Sequence, residues 1–377
     1  MTKIKLAKKI IRNYFIDLEK NQRKFVPGKS KIPLAFPPYG AEEVCEALDS
    51  MMRLKTTMGN KVRKFEREFA KYIGTKYSIM VNSGSSANLL ALSILTNPYL
   101  GNKRIKTGDE VITPAVTWPT TVYPISNVGA IPKFVDVNLD DFSINVDEIK
   151  NAITKKTKAV MLVHLLGNPC DMRKIKKIVK QHDLWLIEDA CEAHGAKYYQ
   201  KHVGSFGDLS TFSFFASHHI TTMEGGMVLT SNKTLYELGK SLRTFGWVRD
   251  QSSRKTLEKK YQKIDPRFLF VNMGYNFRPT ELQGAFGIHQ IKKLENLVKI
   301  RIKNATFWNK KLSPYEEFLI LPKLKKHYRK SFLFYPLTVI KNNYFSKQEL
   351  VNHLEKVGIE TRPVMAGNIL EQPVSKI

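Results

Sequence analysis

The segment DLSTFSFFASHHITTMEGG, residues 208–226, carries two adjacent imidazoles, His218 and His219, between a serine-rich run and an acidic turn. An imidazole exchanges protons near neutral pH, so His218 is a candidate general acid and base. Position alone would make it a packed structural histidine, and His219 a neighbour that supports the loop. Upstream, LIEDACEAHG (186–195) closes an apolar run with Asp189 and Glu192. Carboxylates at such an end are costly to strip of water unless a cation faces them, although a helix cap is the blander use. NSGSSANLL (82–90) sets Gly84 and Ser85 between a strand and a helix, where outward N–H groups and the helix dipole suit a phosphate. Small residues there also serve as plain punctuation. Trp118, in TPAVTWPTT, follows a strand end where α/β proteins gather ligands. Its indole can stack on a flat heteroaromatic ring or fill a core.

Positioning these groups requires a scaffold that brings distant strand ends together. Apolar runs YSIMVN (77–82), EVITP (110–114), IPKFVDV (131–137), AVMLVHLL (159–166), LWLIED (184–189), LSTFSF (209–214) and GMVLT (226–230) alternate with helical patterns. Nearly continuous apolarity marks strands covered on both faces, and the alternation predicts an α/β chain with a mainly parallel sheet. Residues 1–40 read as a basic extension, 41–290 as the large ligand-binding domain and 291–377 as a smaller α/β domain. A long helix is expected from about Pro279 to Leu312.

The 377 residues carry a formal net charge of +27, and 42% are hydrophobic. The lysines are spread over what read as solvated helix faces, with no aromatic-interleaved basic stripe, so a nucleic-acid partner is not expected. Such a surface suits a dianionic substrate. No apolar run approaches the ~20 residues of a membrane span. The N-terminus reads as a basic amphipathic helix packed on the body, with membrane-surface docking as the lesser alternative. Three widely spaced cysteines predict neither disulfides nor a metal site, and a reducing cytoplasm is the expected compartment.

Four motifs in order, SGS.AN, ED.CE.HGA, TFSF…ITT.EGG and GYN.RPTELQGA.G..Q, resemble the DegT/DnrJ/EryC1/StrS nucleotide-sugar aminotransferases over about residues 50–300. The resemblance implies an aspartate-aminotransferase-like fold of the pyridoxal-phosphate-dependent type, with a large and a smaller C-terminal domain. It implies that Gly84, Ser85 and Ser213 hold the cofactor phosphate and that Trp118 stacks on its ring. Asp189 would pair with the pyridine nitrogen and Glu192 would face the ring hydroxyl. Asn276, in GYNFRP, would reach a phosphate in a neighbouring subunit, making a homodimer with shared sites. By the same resemblance the chain is short at its C-terminus, and the small domain is expected to be incomplete.

One departure carries the functional reading. The aminotransferases have a lysine five positions after the phosphate serine and six before the glutamate of EGG. Counted from Ser213 and from Glu224, both spacings land on His218, and no lysine occurs between Lys201 and Lys233. An imidazole cannot form the Schiff base that anchors pyridoxal phosphate, but it can move protons. The implied cofactor is pyridoxamine phosphate, regenerated from glutamate. The implied reaction is removal of the C3 hydroxyl from a nucleotide-linked 4-keto-6-deoxy sugar. The pattern is most similar to the 3-dehydratases acting on GDP-4-keto-6-deoxymannose in deoxysugar and polysaccharide biosynthesis. A sister branch adds a [2Fe–2S] cluster on four cysteines after a segment like RTFGWVRD. None follows here, so no cluster is expected. The competing expectations are an aminotransferase and an inactive cofactor-binding scaffold subunit.

Overall fold

The computed structural model describes residues 3–21, 25–36 and 38–376. Seven apolar runs become the strands of one sheet: β1 (Tyr77–Val81), β2 (Glu110–Pro114), β3 (Ile131–Val135), β4 (Thr157–Val163), β5 (Trp185–Asp189), β6 (Leu209–Ser213) and β7 (Gly226–Thr230). Their order is β1-β7-β6-β5-β4-β2-β3. β7 runs antiparallel to both neighbours, and the remaining pairs are parallel. β1 therefore shares the direction of the other five strands, and their C-terminal ends lie along one edge. All seven strands coincide with runs expected from the sequence. The reversal of β7 is a new feature, because apolarity does not encode strand direction.

The helices are α1 (Lys3–Asn21), α2 (Ala41–Met52), α3 (Asn60–Ile73), α4 (Gly84–Leu95), α5 (Pro119–Asn127), α6 (Val146–Ala152), α7 (Met172–Gln181), α8 (Lys233–Arg243), α9 (Arg254–Lys260), α10 (Glu281–Leu312) and α11 (Lys347–Lys356). Side-chain caps start many of them: Ser83, Asn145, Asp171 and Asn232 accept from the first-turn amides of α4, α6, α7 and α8. Thr280 with Gln283, and Ser346 with Glu349, form capping boxes on α10 and α11.

Alternation along the strands separates two faces. Ile79, Val81, Met161, Ile187 and Val228 pack with α4, α5 and α8 on one side. Met80, Phe212, Met227 and Leu229 pack with α3 and α10 on the other, and Val160, Leu162 and Leu186 with α6 and α7. α10 is continuous for 32 residues, so the boundary expected at 290 falls inside it. Beyond it, a ladder of Leu319–Ile320 with Thr338–Val339 and the helix α11 form a small α/β part. The two parts are tied, because Tyr328–Arg329 pairs antiparallel with Lys197–Tyr198 of the large part.

At the N-terminus, α1 rests on α2 through Lys8 Nζ–Asp49 Oδ1 at 3.1 Å and Arg12 Nε–Glu42 Oε1 at 2.9 Å. None of its described residues is fully buried. Residues 1, 2, 22–24 and 37 of the expected 1–40 extension lie outside the described residues. No helix among the described residues is long and apolar enough to cross a membrane.

An aromatic knot joins α3 to the sheet. Phe69, fully buried, meets Phe212 at 5.0 Å and Phe214 at 5.1 Å between ring centroids, both edge-on. It also meets His194 at 6.2 Å. Phe69→Ala should cost about 3–5 kcal/mol, the range for deleting a buried aromatic ring. Leu139→Ala, at a position 78% exposed, should change stability by less than about 0.5 kcal/mol. Urea unfolding of the two variants checks the contrast.

Candidate active site

β1, β2, β4, β5 and β6 end on the same edge, and the segments that leave them carry the expected site residues. At the end of β1, Ser83 Oγ accepts from Ser86 N at 3.1 Å and starts α4. The first amides of a helix have no intrahelical acceptor, so those of Gly84 and Ser85 point into the cleft. The exposed Ser85 side chain stands beside them. Ser213, the last residue of β6, lies against this turn: a Cβ at position 84 would sit 2.5 Å from Ser213 Cβ. Only glycine allows that approach. The structure thus joins Gly84, Ser85 and Ser213, from two distant motifs, into one small polar cradle under a helix dipole.

Asp189 ends β5 and is 4% exposed. Its Oδ2 accepts from Asn88 Nδ2 and Thr121 Oγ1, both at 2.8 Å, and its Oδ1 from Cys191 N at 3.1 Å. Asn88 is itself oriented by Thr211 Oγ1, which donates to Asn88 Oδ1 at 2.5 Å. Among the described residues no lysine, arginine or histidine pairs with this carboxylate. Three neutral donors fix its direction and leave its charge to be met from the cleft. Its neighbour Glu188 points to the opposite face and is closed off, accepting from Gly204 N, Phe206 N, Gly207 N and His164 Nε2. Cys170 N donates to His164 Nδ1 at 3.1 Å, so the ring proton sits on Nε2. Glu188 is therefore an anchor for the turn, and Asp189 is the carboxylate left without a charged partner among the described residues.

Glu192 is 6% exposed and accepts from Leu166 N at 2.7 Å. Burial pushes its carboxyl up to about 8, against the pull of the Leu166 amide, and nearby Asp189 adds to the rise. At neutral pH it is a carboxylic acid and a proton donor. Trp118 is the N-cap residue of α5 and 52% exposed, so one face of its indole is available beyond β2. This is not the core tryptophan that the bland reading allowed.

His218 lies in the turn after β6, its amide donating to Phe215 O at 3.0 Å. Its Nδ1 is enclosed without a partner, which leaves Nε2 as the nitrogen facing the cleft. Burial, and then the Arg301 guanidinium of α10, push its imidazolium down to about 4. The ring is neutral at neutral pH and can accept a proton. His219 is buried behind it with Nε2 on Ser331 O at 3.1 Å, and His194 lies between, 6.1 Å from His218 and 5.5 Å from His219 by ring centroids. Burial depresses both of these imidazolium groups as well.

Asn276 adjoins Phe277, whose carbonyl accepts from Asn82 N at 3.0 Å, two residues before Gly84. It is exposed, bridges to Thr244 and receives Arg278 Nε on its Oδ1 at 3.0 Å. Asn88, Thr121, His164, Glu188, His194 and Arg301 had no role assigned from the sequence. Asn88 had a visible cue, an amide one turn into the helix that starts the phosphate cradle. Arg301 had none, being one base among many on a lysine-rich helix.

The Glu192 shift has a measurable sign. Folding strengthens its hold on a proton, so its contribution is full below about 4.5 and is lost as pH climbs through about 8. Glu192→Gln keeps the acceptor for Leu166 N but removes the ionisation. Urea unfolding from about pH 5 to about pH 9 should show a smaller loss of stability with pH in the variant. Parallel slopes for the two proteins would contradict this assignment.

Comparison with known proteins bears out the aspartate-aminotransferase-like architecture. GDP-4-keto-6-deoxy-D-mannose 3-dehydratase of Yersinia pseudotuberculosis is 40% identical over 344 residues, covering 90% of this chain and 86% of that one. GDP-perosamine synthase of Escherichia coli O157:H7 is 36% identical, over 88% of this chain and 84% of its own. A solved GDP-4-keto-6-deoxymannose-3-dehydratase with a trapped PLP-glutamate geminal diamine superimposes with a TM-score of 0.85 at 36% identity, covering 91% of this chain and 89% of the other. Residues 38–376 match the DegT/DnrJ/EryC1/StrS aminotransferase family, and the chain belongs to it.

Proposed function

We propose that this protein is a pyridoxamine-phosphate-dependent 3-dehydratase of a nucleotide-linked 4-keto-6-deoxyhexose, with GDP-4-keto-6-deoxymannose the favoured substrate. The observation that carries the reading is His218 at the position where both family spacings require a lysine. The similarity to the dehydratases supports it, and so does the fit of the cleft to a flat, phosphorylated, cationic ring. The cradle of Gly84, Ser85 and Ser213 suits the phosphate, and the uncompensated Asp189 carboxylate suits a protonated ring nitrogen. Trp118 offers a stacking face, and the acid of Glu192 can donate to a ring oxygen.

When bound, pyridoxamine phosphate supplies a primary amine for the sugar C4 ketone and a sink for electrons. His218 Nε2, neutral at neutral pH, takes a proton from carbon and hands it to the oxygen leaving sugar C3, so that the C3–O bond breaks with loss of water. The deoxygenated product leaves and hydrolyses to a 4-keto-3,6-dideoxy sugar and ammonia. Glutamate supplies the two electrons and becomes 2-oxoglutarate. Asn276, an exposed side chain, would contact phosphate in the second subunit of a homodimer.

The similarity to GDP-perosamine synthase favours a second reading, amination at C4 with the C3 oxygen kept. Two variants separate them. His218→Gln should bind cofactor yet lose about 10²–10⁴-fold in release of the C3 oxygen, the usual worth of a positioned acid–base group. His218→Lys should trap pyridoxal phosphate covalently, visible as a borohydride-fixed mass increase, and lose dehydration. Undiminished dehydration in either variant would remove His218 from the chemistry.

A further inference from the structure

The segment Ser331–Leu333 belongs to the C-terminal part, yet it runs between the two loops that hold the site's proton-carrying groups. On one side Ser331 N donates to Gly167 O at 2.9 Å and Leu333 N to Leu166 O at 3.1 Å. Leu166 N in turn holds Glu192 Oε2 at 2.7 Å. On the other side Ser331 O accepts from His219 Nε2 at 3.1 Å, and His219 is the residue after His218. A single guanidinium fixes this strap: Arg301 Nη1 donates to Phe332 O at 3.1 Å and to Leu333 O at 2.7 Å.

The fit is too close to be a loose contact. Gly167 has φ +81°, and a Cβ there would meet Ser331 Oγ at 2.5 Å and Phe332 N at 2.8 Å. Leu166 and Phe332 face each other with φ of 54° and 52°, a left-handed conformation that costs each about 1 kcal/mol or more. Ser331 is fully buried and Phe332 is 4% exposed. Two non-glycine residues are held in strained conformations where the strap crosses the Leu165–Gly167 turn that holds Glu192.

We propose that Arg301 is a positioning residue of the active site, clamping the strap Ser331–Leu333 so that the Leu165–Gly167 turn, which holds Glu192, and the His218 loop are held in one register. It has a second effect from the same place. The charged and titratable groups around His218 are His194 after β5, His219 in its own loop and Arg301 on α10. Arg301 is the permanent charge among them, and it acts to lower the proton affinity of all three imidazoles. The clamp therefore also keeps His218 ready to accept a proton. This inference takes from the proposed function only that His218 carries the proton.

The test reads the rings directly, by selective imidazole ¹⁵N labelling and NMR titration of the full chain without cofactor, with pyridoxamine phosphate binding measured separately. Arg301→Gln should move the His218 midpoint upward by about one pH unit or more, while Arg301→Lys, which keeps the charge, should leave it within about 0.3 units. Pyridoxamine phosphate binding should weaken in Arg301→Gln, which frees the strap beside Glu192. An unmoved His218 midpoint in Arg301→Gln, or equal shifts in the two variants, would overturn the electrostatic part even if dehydration itself is confirmed. The clamp is read in the wild-type chain by amide hydrogen exchange, which does not depend on any variant folding. The amides of Leu166, Ser331 and Leu333 should open together as one unit. Exchange at Leu166 that is independent of Ser331 and Leu333 would overturn the strap.

Discussion

A carboxylate buried at the end of β5 with three neutral donors and, among the described residues, no cationic partner sets the terms for the rest of the cleft. Asp189 is expensive to keep there, and Asn88, Thr121 and the Cys191 amide fix its direction without neutralising it. Each donor comes from a different element: the helix after β1, the helix after β2 and the turn after β5. The parallel strand ends bring these elements together, and they bring the phosphate cradle and the His218 loop to the same edge. The second acid, Glu188, faces away and is saturated by backbone amides and His164, so the turn is rigid where Asp189 must be precise.

With no lysine between Lys201 and Lys233, the turn after β6 offers no amine that could anchor a ligand covalently. The close approach of Gly84 to Ser213 and the exposed indole of Trp118 shape the rest of that edge. The histidine that stands in this turn is held neutral by burial and by Arg301. A charged His218 would add a second cation beside Arg301, whereas the neutral ring adds only a proton acceptor.

Much of this was readable from residue order. All seven strands of the sheet lie in the apolar runs of the sequence, because strands covered on both faces have few polar positions to blur them. The helix α5 is hidden in the sequence by the two prolines at 119 and 124, whereas α3 carries a regular apolar face of Val62, Phe65, Phe69 and Ile73. Asp189 stands out because it closes an apolar run, and His218 because two family spacings land on it. The groups that orient them do not. Asn88 meets Asp189 across the sheet, and Arg301 reaches Phe332 and Leu333 from a helix that also carries six lysines. Contacts of that kind depend on strand order and helix rotation, neither of which a local pattern specifies.

The central claim is that this cleft removes an oxygen from C3 of the sugar and does not leave nitrogen at C4. The direct measurement is mass spectrometry of the sugar nucleotide after incubating the protein with pyridoxamine phosphate, glutamate and GDP-4-keto-6-deoxymannose. A product lacking the C3 oxygen, formed together with 2-oxoglutarate and free ammonia, is what the site predicts. A 4-amino sugar that keeps its C3 hydroxyl would contradict it.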